Sequence, residues 1–152
     1  MKKSKQIDGV GVGAVIFDEN NKLFLAKRGE KARSERGKWE CPGGGHERFE
    51  TFKQTIEREF KEEFGAEVEF VRVLGVLNHV IPEENKHWVA IPALCKLKKG
   101  TPKILEPEKC AEIGWFTLEQ MEKLPLSVLF KDGLMEILKK YINEKTDRKG
   151  NN

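Results

Sequence analysis

Between Thr51 and Ala66 the chain places Phe52, Ile56, Phe60 and Phe64 four residues apart and then stops at Gly65. At 3.6 residues per turn these four form one apolar stripe on a helix, and Gly65 stands where a C-cap glycine belongs. A helix with such a stripe must be covered, and the rest of the chain offers mostly strands to cover it. Val10–Phe17 (VGVGAVIF) and Lys22–Arg28 are β-type runs separated by Asp18-Glu19-Asn20-Asn21, so the pair reads as a hairpin. Gly29–Lys38, with six charged residues and two glycines, reads as an exposed loop. Trp39–Cys41 is short enough for an edge segment, stopped by Pro42 and the turn-forming Gly43-Gly44-Gly45.

Beyond the helix, Val68–Val80 returns to β composition. His87–Leu97 is a further strand, where Pro92 predicts an edge or a bulge. Glu112–Phe116 is a short strand and Leu118–Lys123 one or two helical turns. Phe130, Leu134, Ile137, Leu138 and Tyr141 fit an amphipathic helix. The order β-β-α-β-β-β-α predicts one mixed α/β (α+β) domain over residues 1–152, with residues 1–6 and 144–152 as flexible tails.

Composition narrows the function. Twenty-eight Lys+Arg against 25 Asp+Glu leave a net charge of only +3, without the clustered basic excess of a dedicated nucleic-acid binder. No apolar run approaches the roughly 18–20 residues of a membrane span. No apolar stretch follows the basic start Met1–Gln6, so no secretory signal is read. Cys41, Cys95 and Cys110 are odd in number and lack C-x-x-C spacing, which suits reduced thiols better than disulfides or zinc. The expectation is a cytoplasmic protein, monomer or homodimer, with no membrane and no nucleic-acid partner.

The chemistry is concentrated in Gly44–Ala66. Glu59, Glu62 and Glu63 sit at i, i+3 and i+4, within an arc of roughly 100° beside the Phe stripe. Like charges so spaced repel, and a hard divalent cation such as Mg²⁺ turns that repulsion into binding. An acidic helix face alone reads more simply as solvated surface. Pro42-Gly43-Gly44-Gly45 just ahead lets backbone approach a metal or phosphate, and Glu50 and Arg58 complete the constellation.

This stretch resembles the Nudix box, G-x5-E-x7-R-E-U-x-E-E-x-G-U with U a bulky apolar residue. Gly44, Glu50, Arg58, Glu59, Phe60, Glu62, Glu63 and Gly65 all fall in register. Two positions depart: Ala66 is smaller than usual, and Phe49 stands where many members have Gly, which reshapes the loop. The GKWECPGG, EPEKC and WFTLEQMEKLPL segments are similar to the MutT-like branch.

The resemblance implies a mixed β-sheet sandwiched between helices (α/β/α), and hydrolysis of a nucleoside diphosphate linked to another group by water attack on phosphorus with Mg²⁺ or Mn²⁺. It implies Glu59, Glu62 and Glu63 as metal ligands, with the carbonyl of Gly43 or Gly44 completing the set. Glu59 would also orient the water, and a Glu50–Arg58 ion pair would fix loop to helix. By weaker matches, Arg28 would meet substrate phosphates, and Glu108 or Glu106 would add a carboxylate from outside the box. Surface roles suit those three residues equally well. His46, His79 and His87 share no metal-ligand spacing, and one of Trp39, Trp88 and Trp115 could stack on a base.

The leading expectation is a nucleoside triphosphate diphosphatase releasing monophosphate and pyrophosphate. An ADP-ribose or NDP-sugar pyrophosphatase is the alternative, kept open by Pro82, seventeen residues past Gly65. A non-catalytic nucleotide-binding module is disfavoured because every box glutamate is present, and RNA cap hydrolysis because no strong basic surface is read.

Overall fold

The apolar run near the N-terminus forms strand β1 (Gly9–Ile16) and finds its neighbours far along the chain. It pairs in parallel with β7 (Lys86–Lys99), from Gly9 opposite Trp88 to Ile16 opposite Cys95. Its other edge is antiparallel to β4 (Gly43–Gly45), so the glycine triplet is a strand rather than a turn. β7 then pairs with β6 (Leu77–Ile81) along its first half and β5 (Glu67–Val73) along its second. A second sheet holds β2 (Leu23–Arg28) between β3 (Trp39–Glu40) and β8 (Cys110–Phe116). The computed structural model describes residues 5–150.

The expected β1–β2 hairpin is therefore corrected: only a Phe17–Leu23 bridge joins the two segments. The reason lies in their composition. Val12, Ala14 and Ile16 of β1 face one core and Val15 the other. Phe24 and Ala26 of β2 likewise oppose Leu23 and Leu25. Strands apolar on both faces need cover on both, which a ribbon of two cannot supply.

That cover is helical. On one side α1 (Phe52–Phe64) packs Ile56, Phe60 and Phe64 against β1 and β2. The Phe24 ring meets Phe60, Phe64 and Trp115 edge-on at 5.2–5.6 Å between centroids. On the other side Met121 of α2 (Leu118–Met121) joins Leu134 and Leu138 of α3 (Leu134–Gly150) over Val15, Leu23 and Leu25. Each such large side chain contributes about 1.5–3 kcal/mol by leaving water. The α/β/α sandwich expected from the box is present.

Local chemistry sets the ends of α1. Thr51 Oγ1 accepts from Gln54 N–H at 3.1 Å while Gln54 Oε1 accepts from Thr51 N–H at 2.9 Å, a reciprocal cap. Gly65 ends the helix at φ 67°, a conformation glycine adopts without cost.

Pro92 lies in the middle of the central strand, not at an edge. Its carbonyl accepts from Leu74 N–H, so its polar groups face the gap where β7 changes partner from β6 to β5 and no ladder donor is required. Phe130 belongs to a 3₁₀ turn (Val128–Phe130) rather than to α3. α3 continues through the segment from 144 onward, where fraying is expected from its polarity, and residues 1–4 and 151–152 lie outside the described residues. No described helix is long and apolar enough to cross a membrane.

Candidate active site

The C-terminal half of α1 and the glycine strand β4 face each other closely. A Cβ on Gly44 would overlap the Glu59 carboxylate, and one on Gly43 would overlap the Val12 carbonyl. Only glycine lets β4 lie flat between β1 and the helix carboxylates.

Arg58 organises the acidic side. Its Nε donates to Glu50 Oε2 at 2.8 Å and Nη2 to Glu50 Oε1 at 2.9 Å, a bidentate pair, while Nη1 donates to Glu59 Oε1 at 2.9 Å. Glu62 and Glu47 lie at 3.5 and 3.7 Å from the same guanidinium. Glu50 also accepts from Thr55 Oγ1 and Glu47 N–H. Arg58 first, with those donors, holds the Glu50 carboxyl down at about 2. The pair thus ties the loop before α1 to its second turn, as the resemblance implies. Within that loop Phe49 takes a left-handed φ of 71° with its ring 90% exposed and Arg48 stacked at 4.8 Å. The tight turn is kept, with Glu50 N–H donating to Glu47 O, and Phe bears the strain that Gly would avoid.

Glu59 is 17% exposed and Glu62 59% exposed at the side chain. Burial raises the Glu59 carboxyl despite Arg58. Glu63 has no ion pair among the described residues, and burial, then Glu59, Glu40 and Glu106, push it up to about 8. A half-buried carboxylate with three like charges about it and only Lys109 against them is the electrostatic condition of a cation site. Hard oxygen donors on one helix face beside a side-chain-free strand fit Mg²⁺ or Mn²⁺. Among the described residues the carboxylates are not drawn into a closed metal cluster, since Glu59 Oε1 leans on Arg58.

Cations share the same cleft, which measures about 690 Å³ and is lined by Glu40, Glu47, Glu59, Glu62, Glu63 and Glu106 together with Lys27, Arg28, Lys31, Arg33, Arg58 and Lys109. Glu106 lines this cleft; Glu108 is exposed and outside the lining, its carbonyl taking Lys31 N–H. Arg28, the expected phosphate contact, is partly committed elsewhere: Nε donates to Ser34 O at 2.7 Å and Nη1 to Glu40 Oε1 at 2.9 Å. Lys109 pairs with Glu106 at 2.9 Å and Lys27 with Glu112 at 3.6 Å. Lys31 and Arg33 make no ion pair among the described residues.

A second hollow of about 260 Å³ adjoins the first across the glycine strand. Gly11, Gly13 and Gly43–Gly45 form a floor without side chains, and Trp88, Ile81 and Leu129 form apolar walls. Trp88 lies against β1 so closely that a Cβ on Gly9 would touch its ring at 2.8 Å. Trp39 and Trp115 pack instead in the core, on Phe116 and Phe24. Of the histidines, His46 bonds Thr55 and His87 bonds Asn78, while His79 faces Glu35 at 3.4 Å.

Composition misjudged the stretch 29–38, where Arg33 and Glu35 escaped notice. The segment is tied down rather than loose: Gly29 N–H donates to Lys109 O, Lys31 N–H to Glu108 O, and Val128 N–H to Glu35 Oε1 at 2.7 Å. Its partners lie some 80–90 residues away, and the only sequence signal was the charge run itself.

The family profile of the NUDIX domain matches residues 8–136. An 8-oxo-dGTP diphosphatase of Proteus vulgaris is 38% identical over 71 residues, covering 47% of this chain and 62% of that protein. An RNA pyrophosphohydrolase of Hydrogenovibrio crunogenus is 42% identical over 64 residues, covering 42% and 36%. An ADP-ribose pyrophosphatase of Methanocaldococcus jannaschii is 31% identical over 109 residues, covering 72% and 62%. The chain thus spans under two thirds of the length of these curated relatives. Among solved structures, a MutT NUDIX hydrolase from Burkholderia pseudomallei superposes with a TM-score of 0.75 at 31% identity, covering 86% of this chain and 95% of that one.

Proposed function

Because the chain belongs to the Nudix family, we propose that it hydrolyses a nucleoside triphosphate to the monophosphate and pyrophosphate by water attack on phosphorus. The observation that carries this reading is unpaired charge of both signs in one cleft: among the described residues Glu63 makes no ion pair there, and neither do Lys31 and Arg33. A polyphosphate with its divalent ion supplies both.

Glu59, Glu62 and Glu63, with the Gly44 carbonyl, would hold Mg²⁺ or Mn²⁺, which when bound neutralises phosphate charge and the departing pyrophosphate. Arg58 keeps Glu59 aimed by holding Oε1, which leaves Oε2 to orient the attacking water and accept its proton. Glu50 anchors Arg58 from behind, a positioning role. The cations of the cleft bind the phosphates and disperse the charge that gathers on them. The glycine-floored hollow beside Trp88 suits the flat base, and its shared lining with the cleft gives one continuous path from base to phosphates. The 8-oxo-dGTP diphosphatase relative and the MutT structure support a triphosphate.

A second reading, cleavage of ADP-ribose, draws on the relative that aligns over 72% of this chain. Incubation with Mg²⁺ and dNTPs, 8-oxo-dGTP or ADP-ribose separates the two. Monophosphate and pyrophosphate, lost in Glu63→Gln, support the first. AMP and ribose phosphate support the second, and no turnover of any of these overturns both.

A further inference from the structure

We infer that segment 29–38 is a built phosphate arm in which Lys31 and Arg33 read different phosphates of the substrate, Lys31 the outer pair and Arg33 the one next to the nucleoside. This rests on the nucleotide reading above and assigns substrate contacts to residues outside the box.

The placement follows from which hollow each residue lines. Lys31 lines only the large cleft, where the carboxylates gather. Arg33 lines both the cleft and the glycine-floored hollow, and so stands at the neck between them. A nucleotide with its base beside Trp88 and its terminal phosphates among the carboxylates must pass that neck at its first phosphate.

The charges are available. Every other cation of the cleft is engaged: Lys27 by Glu112, Arg28 by Glu40, Arg58 by Glu50 and Glu59, and Lys109 by Glu106. Lys31 and Arg33 have neither a side-chain hydrogen bond nor an ion pair among the described residues.

The arm is also held in shape. Backbone bonds to Glu108 O and Lys109 O fasten its start, and Arg28 Nε to Ser34 O its middle. Glu35, 9% exposed at the side chain, fastens its far end to Val128 N–H. A rigid backbone carrying two unengaged cations loses little entropy when a phosphate arrives.

The test uses the full chain with Mg²⁺ and the variants Lys31→Gln, Arg33→Gln and Arg33→Lys. Each is read by its unfolding midpoint, by kcat and KM on a triphosphate, and by calorimetric binding of the two products, nucleoside monophosphate and inorganic pyrophosphate. Loss of a charge-assisted phosphate bond predicts a KM higher by about 10- to 100-fold, with kcat nearly kept and the midpoint unmoved. Lys31→Gln should weaken pyrophosphate and spare the monophosphate, Arg33→Gln should do the reverse, and Arg33→Lys should recover part of the loss. Equal effects on both products, unchanged KM, or a shifted midpoint with kcat and KM falling together would overturn the division. Wild-type protein that turns over no triphosphate sinks the functional reading alone, because product binding still decides the arm.

Discussion

The anchor at Glu35 can be tested by removing one carboxylate far from the box. Glu35 Oε1 accepts Val128 N–H at 2.7 Å, Oε2 faces His79 Nε2 at 3.4 Å, and His79 Nδ1 is already buried without a partner. Glu35→Ala leaves the Val128 amide and both His79 nitrogens without protein partners. A hydrogen bond to a charged group is worth about 1.5–3 kcal/mol, so the variant should lose about that much. At about 2–4 °C per kcal/mol for a domain of this size, its Tm should fall by roughly 3–12 °C. Glu35→Gln keeps an oxygen for Val128 and should lose less. Glu35 also sits at φ 50°, so Glu35→Gly should be more stable than Glu35→Ala. Burial alone would raise this carboxyl, but His79 and the Val128 amide outweigh it and hold it below the usual range. A depressed carboxylate stabilises the fold above its unfolded pKa, and that benefit fades as pH falls through the folded value. The gap between wild type and Glu35→Ala, measured by urea unfolding, should therefore be full at pH 7 and shrink below about pH 4.5. An Ala variant within 0.5 kcal/mol of wild type at neutral pH, or a gap that widens in acid, would refute the anchor.

Three further outcomes are expected. Gly44→Ala should cut kcat by about 100-fold or more with only a small change in unfolding midpoint, because its Cβ overlaps the Glu59 carboxylate while the strand itself is short; activity within a few-fold of wild type would argue against that contact. In chelator, Glu63→Gln should raise the Tm by removing a half-buried carboxyl whose ionisation is opposed by burial and by Glu59, Glu40 and Glu106, whereas millimolar Mg²⁺ should raise the Tm of wild type and not of the variant; scanning calorimetry reads both arms. Phe60→Ala should cost about 3–5 kcal/mol, since the ring is fully buried between Phe24 and Phe64, and chemical denaturation with a smaller loss would show that the site collapses.

What could be read without coordinates was local. The Thr51 cap, the Phe stripe and Gly65 act within one helix, so spacing alone places α1 and with it Glu59, Glu62, Glu63 and the Glu50–Arg58 pair on neighbouring turns. What escaped depends on partners distant in sequence. β1 needs β7, with Gly9 meeting Trp88, and no local rule distinguishes that pairing from a hairpin with β2. The glycine triplet reads as a turn because glycine is common there. It pairs with β1 as a strand, and at Gly43 and Gly44 the neighbours Val12, Gly13 and Glu59 leave no space for a side chain.

The charge run 29–38 depends on distant partners in the same way. Charge usually marks solvent, and Glu30, Arg36 and Lys38 are indeed exposed. Glu35 departs from that rule because its acceptor capacity meets an amide 93 positions later, which no window of neighbouring residues contains. Of the arm's two acids, Glu30 lines neither hollow and Glu35 lines only the glycine-floored one, while Lys31 and Arg33 line the cleft. A segment with four cations and two acids thus presents a cationic edge to the cleft that holds the carboxylates of α1. Half-buried Glu35 thus spends its charge on Val128 and His79 rather than on Lys31 or Arg33, and those two cations stay without an ion pair among the described residues.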